Sequence, residues 1–132
     1  MNTATIMTAV RIGLLLILMT ACSSAPSIEQ KMTGRWELAK VLQNDNNVTK
    51  DHDPKDNRYI IFTDDGRFES GGDPVGKNTG SWSILPESQE LFLDSDAGED
   101  DDSYWTVTFP GNQMHWKGTR GFGTAFKLQY TP

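Results

Sequence analysis

Few side chains in this sequence are of the kinds that make and break covalent bonds. It holds two histidines, His52 and His115, and one cysteine, Cys22. In the segment Gln113-Met114-His115-Trp116-Lys117, strand alternation turns His115 to the side of Gln113 and Lys117, away from the apolar pair. His52 stands between Asp51 and Asp53, whose carboxylates favour its charged form without supplying a nucleophile. No serine occupies a strand-turn-helix elbow, and paired carboxylates fall only in turn-like stretches. No catalytic residue is assigned, and the chain reads as a non-enzyme. A lone cysteine excludes an intrachain disulfide and a cysteine-cluster zinc site, so no metal or cofactor is expected.

Carboxylates are the more abundant chemistry. Residues 94 to 102 carry six of them in nine positions. As a calcium loop this segment lacks the turn glycine at its sixth position, and Trp105 stands where a bidentate Glu would close a twelve-residue site, which excludes an EF-hand. The alternatives are a looser calcium site and a solvated hairpin tip held open by its own repulsion. Residues 103 to 132 contain no acid and carry Lys117, Arg120 and Lys127, so the charge is unevenly spread. Neutralisation between neighbouring strands is one account of that pattern; a polarised partner-binding surface is the other. Arg11 is the only charged side chain among the first 21 residues, which leaves 11 basic against 18 acidic residues beyond them. A chain so acidic is a poor partner for nucleic acid.

Aromatic rings are the third resource, and all of them lie beyond residue 21. Trp36, Phe68, Trp82, Trp105, Phe109, Trp116 and Phe126 fall on positions expected to face inward, where they would fill a core or line a pocket for a small hydrophobic ligand.

These rings must be positioned by strands, because the sequence offers no long helical period. Eight short segments rich in aromatic and β-branched residues are separated by Gly, Pro, Asn and Asp: residues 34–42, 58–63, 67–70, 78–84, 89–94, 103–109, 113–117 and 124–130. Apolar and polar residues alternate within them. Trp82 and Ile84 oppose Ser81 and Ser83, while Phe126, Leu128 and Tyr130 oppose Lys127 and Gln129. One face of the sheet is therefore wet. Asp64-Asp65-Gly66 and Pro110-Gly111-Asn112 are the sharpest turns. The expected fold class is all-β, an eight-stranded antiparallel up-and-down barrel in which closure removes the exposed edges. A sandwich of two short sheets satisfies the same alternation. Residues 43 to 57 break the rule of short turns and are expected to be a mobile loop.

Three stretches follow from the ends of the pattern: a signal peptide at 1–21, a tether with a short helical turn at 22–32, and the barrel domain at 33–132. Ile12 to Met19 is an apolar run of eight residues, too short to span a bilayer that needs about 20, and suits the core of an export signal. Ser27 and Gln30 suit a capping box that opens one helical turn over residues 28 to 32. Leu18-Met19-Thr20-Ala21-Cys22 resembles the lipobox of bacterial lipoproteins, with Met in place of the commoner Leu three residues before the cysteine. That resemblance implies cleavage before Cys22 and lipidation of its sulfur, with acyl chains that bind the membrane at ~0.8 kcal/mol per buried methylene. An ordinary secretory signal with an incidental cysteine is the alternative. By analogy with enterobacterial sorting, Ser23 after the cysteine implies the outer membrane, with the barrel facing the periplasm.

Gly34-Arg35-Trp36, the hairpin Phe62-Thr63-Asp64-Asp65-Gly66-Arg67-Phe68 and Gly80-Ser81-Trp82-Ser83-Ile84 occur in an order that resembles the lipocalin-like lipoproteins of the calycin superfamily. Leu91-Phe92-Leu93, Tyr104 and Met114-His115-Trp116 continue that order to Tyr130. The resemblance implies that Trp36 plugs a closed barrel end and that residues 43 to 57 overhang an open one. Secreted lipocalins place an arginine against that tryptophan; here Arg120 is the only candidate, and it lies in a Gly-rich turn. The implied function is to bind or carry a small hydrophobic or amphipathic molecule in the bacterial envelope. The alternative is a non-catalytic interaction lipoprotein with a filled barrel that engages an envelope protein partner through its surface.

Overall fold

A computed structural model describes residues 22–132. The signal-peptide expectation for residues 1–21 lies outside them. After the tether comes α1 (Ile28–Met32), capped as the sequence implies: the Ser27 hydroxyl accepts from Gln30 N at 3.2 Å and the Gln30 side chain accepts from Ser27 N at 2.9 Å. Strands follow as β1 (Gly34–Gln43), β2 (Asn46–Asn47), β3 (Tyr59–Phe62), β4 (Arg67–Gly71), β5 (Asn78–Ile84), β6 (Leu91–Ser95), β7 (Ser103–Thr108), β8 (Met114–Gly118) and β9 (Phe126–Thr131). A short α2 (Thr49–His52) interrupts the run after β2. No helix among the described residues is long and apolar enough to cross a membrane.

Apart from the two-residue β2, which folds back on the end of β1, each strand pairs antiparallel with its successor. β9 then returns to β1, from Glu37 opposite Thr131 to Gln43 opposite Phe126. This last ladder closes a barrel of eight strands, so the sandwich alternative is excluded. Closure leaves no long unpaired edge. Between Leu38 and Lys40 the β1–β9 register slips by a bulge at Ala39. An extra residue there inverts the alternation, so Leu38 and then Val41 are buried while Ala39 is exposed.

The two poles differ. At one, α1 and the β3–β4, β5–β6 and β7–β8 turns gather around Met32, Trp36 and Phe109. Met32 is fully buried, the Trp36 indole donates to Met32 O at 2.8 Å, and the Trp36 and Phe109 rings lie 6.3 Å apart. At the other pole stand the β1–β3 connection and the β4–β5, β6–β7 and β8–β9 loops. There Gly118 permits a close approach, because a Cβ on it would lie 1.9 Å from Gly123 O.

The β1–β3 connection corrects the expectation of a mobile loop. Asp53 is 2 % exposed, and its carboxylate accepts from Asn57 N at 3.0 Å and from Arg58 N at 3.3 Å. Thr49 Oγ1 accepts from Val41 N at 3.0 Å, and His52 packs edge-on against Phe126 at 5.5 Å. These side-chain bonds to main-chain groups order a segment that has almost no apolar residues.

Candidate functional site

Inside the barrel the rings form a continuous body. Phe62 meets Trp82 edge-on at 5.2 Å and Trp116 at 6.0 Å; Trp116 meets Trp105 at 5.4 Å and Tyr130 at 4.8 Å. These separations fall within the range of favourable aromatic pairs. Of the seven rings expected inside, Trp36, Phe68, Trp82 and Trp116 are buried. Trp105, Phe109 and Phe126 are half-buried against the core, because each lies toward an end of the barrel. Phe109 follows the last residue of β7 and serves the closed pole, and Phe126 opens β9 beneath His52.

The packing stops short of the other pole. A cavity of about 240 Å³ opens there, walled by Leu38, Ile60, Phe68, Leu93, Trp105, Trp116 and Leu128. Only Phe68, Trp105 and Trp116 of the seven expected ligand-facing rings line it; Trp36, Trp82, Phe109 and Phe126 serve other packing. Polar groups collect toward its mouth at Arg58, Ser70, Asn78, Asp101 and Ser103, while Tyr130, which is buried, lies deeper. Burial raises the Tyr130 phenol well above its ordinary pKa, so the hydroxyl is neutral across the physiological range.

Arg58 was missed as a site residue, although a signal for it exists. It shares strand parity with Ile60 and Phe62, the two buried residues of β3. Its backbone is held by Asp53, and its Nη1 donates to His52 O at 3.2 Å.

Three indole nitrogens find acceptors. Trp36 donates to Met32 O, Trp82 to Thr63 O at 3.1 Å and Trp105 to Ser103 Oγ at 2.8 Å. The fourth does not: Trp116, 3 % exposed, has no acceptor for its Nε1.

The acidic segment is mostly exposed, as a solvated tip would be, but three of its six carboxylates have partners. Asp96 pairs with Arg67 at 2.5 Å and accepts from Thr79 at 2.7 Å; both hold its carboxyl below the ordinary pKa, Arg67 more strongly. Asp101 Oδ2 accepts from Asn78 at 2.8 Å and from Ser95 Oγ at 2.7 Å, and Asp102 accepts from Ser95 N at 2.8 Å. The segment is thereby folded against the rim of the cavity. Among the described residues no three His, Cys, Asp or Glu side chains cluster as a metal site.

His115 lies on the outer side, as its parity implies, with Nε2 2.8 Å from Gln113 Oε1. Arg120 does not reach Trp36. It stacks on Tyr104 at 3.9 Å and donates to Glu90 at 2.8 Å, on the outside of the barrel. The capping contact of the closed pole is instead the Trp36–Met32 hydrogen bond. Cys22 is exposed and carries a free thiol.

No family model matches the sequence, and no curated protein matches it. Among solved structures, the crystal structure of a DUF4847 family protein from Bacteroides vulgatus is similar, with a TM-score of 0.55 over 78 % of this chain and 94 % of that one. At 12 % identity the likeness is one of fold alone.

Proposed function

We propose that the chain is a lipid-anchored protein of the bacterial envelope whose barrel binds or carries a small hydrophobic or amphipathic molecule. The observation that carries this reading is the cavity of about 240 Å³, open at one pole of a barrel whose other pole is plugged. Its inner walls are largely aromatic and aliphatic, and most of its polar groups sit toward the mouth, the arrangement that orients an amphipathic guest. The anchor is Cys22, joined to α1 by five residues, with the outer membrane and a periplasmic barrel as the assigned address. The role is non-catalytic: His115 is engaged on the outer surface with Gln113, and His52 packs on Phe126.

The test is a titration of the purified protein with small apolar acids, amides and alcohols, read by tryptophan fluorescence, alongside mass spectrometry of extracted co-purifying molecules. Saturable one-to-one quenching that weakens in Leu93→Trp, which fills the cavity, supports the reading. Linear, unsaturable quenching in the wild type defeats it.

A second reading, a platform that engages an envelope protein partner, draws on Phe122 and Val75. They are 77 % and 58 % exposed, on the β8–β9 and β4–β5 loops of the open pole. Crosslinking in intact cells separates the two readings. A platform loses its partner in Phe122→Ser, while a container keeps its guest.

A further inference from the structure

We infer that the cavity takes a small organic monoanion, a carboxylate on a short apolar body, with Arg58 as its countercharge. This rests on the lumen-binding reading and specifies its ligand. Three of the four arginines among the described residues have a carboxylate partner: Arg35 with Glu37 at 2.6 Å, Arg67 with Asp96 at 2.5 Å and Arg120 with Glu90 at 2.8 Å. Those three pairs lie on the outer surface. Arg58 is the arginine that lines the cavity, and no described carboxylate comes within 4.0 Å of its guanidinium. Asp53, whose carboxylate lies against the Arg58 backbone, is occupied by the main-chain N–H groups of Asn57 and Arg58, and Asp56, the nearest acid in sequence, is exposed and forms no ion pair with it. A half-buried guanidinium with one neutral acceptor, His52 O, retains most of its five donors for a planar oxyanion.

The surroundings agree with that assignment. Tyr130 lines the same cavity close enough to Arg58 to feel its charge, and it stays a neutral phenol. The indole of Trp116 forms part of the wall, with its unpaired Nε1 buried behind the surface that faces the cavity. The opposing charge is Asp101, also at the mouth, whose Oδ2 is engaged by Asn78 and Ser95. It repels an anion at the mouth, so the ligand's charge is held where the attraction of Arg58 outweighs that repulsion.

Size narrows the class further. About 240 Å³ corresponds to roughly eight water volumes and lies below the ~300 Å³ at which drug-sized sites begin. One ring on a short chain fits. A long fatty acyl chain does not.

The experiment compares 3-phenylpropionate with 3-phenylpropionamide, which share a body and differ in charge, by calorimetric titration at pH 7 in a buffer free of carboxylates. Wild type is expected to prefer the acid about tenfold, the scale of one charge-assisted hydrogen-bond pair. Arg58→Gln should bring the two ligands to within about twofold by weakening the acid alone, and Arg58→Lys should keep part of the preference. Amide affinity reports in each variant that the cavity is still formed. Equal binding of acid and amide by wild type overturns the anion inference and leaves the container reading standing, as does a preference that survives Arg58→Gln. Failure of both ligands to bind wild type overturns the two together.

Discussion

The indole nitrogen of Trp36 donates to the main-chain oxygen of Met32 at 2.8 Å, so the ring that seals one pole of the barrel also fastens α1 to β1. Trp36→Phe keeps most of the ring and removes the bond, and is expected to cost about 1–3 kcal/mol because Met32 O is left buried without a donor. Trp36→Ala should cost about 3–5 kcal/mol through the cavity it opens. Denaturant unfolding measures both, and an unchanged stability in Trp36→Phe would show that the bond adds nothing.

Asp102 and Asp100 stand two residues apart in the acidic segment and should behave differently. Asp102 satisfies the main-chain N–H of buried Ser95, so Asp102→Ala is expected to cost about 1–3 kcal/mol. Asp100 is exposed, and Asp100→Ala should stay within about 0.5 kcal/mol. A stabilisation by both variants in thermal melts would restore the picture of a self-repelling tip.

Glu90 supplies a pH dependence. The Thr119 hydroxyl, beside it but outside good hydrogen-bond geometry, and then the Arg120 guanidinium, which donates at 2.8 Å, lower its carboxyl from the ordinary 4.5 to about 2. A carboxyl whose folded pKa lies below its unfolded value stabilises the fold fully above the unfolded value. That contribution is lost as pH falls from about 4.5 toward 2. Glu90→Gln should therefore flatten the stability profile across that window and leave its slope above pH 5 unchanged. Parallel profiles for wild type and variant would contradict the assignment.

Cys22→Ser tests the anchor independently of the barrel. It is expected to move the protein from the membrane pellet to the soluble fraction while its circular dichroism and melting point stay unchanged. Retention in the pellet would point to a different anchor.

Much of the architecture is legible in the sequence because burial on one face of a sheet writes itself as alternation. Trp82 against Ser81 and Ser83, or Met114 and Trp116 against His115, fixes which side is inside, and Gly-rich or Asp-rich turns fix where strands end. Alternation fails where one residue is inserted: the bulge at Ala39 exchanges the faces of β1 midway, and no residue type announces it. It also fails where order comes from polar groups. The buried Asp53 and the partners of Asp96 and Asp101, which lie 6 to 29 residues away in sequence, carry no periodic trace. The site was legible in part. Parity identifies Phe68, Trp105 and Trp116 as inward, and Arg58 shares the parity of Ile60, but whether rings fill a barrel or stop short of its rim depends on summed volumes that a pattern does not contain.

The plug and the tether occupy the same pole, since α1 follows directly on the residues after Cys22, while the cavity opens at the other. A barrel moored through Cys22 would stand on its sealed base like a cup, its rim turned to the aqueous compartment. Traffic in and out would then run by encounters with dissolved molecules or passing donors, and not by sideways escape from the leaflet beneath.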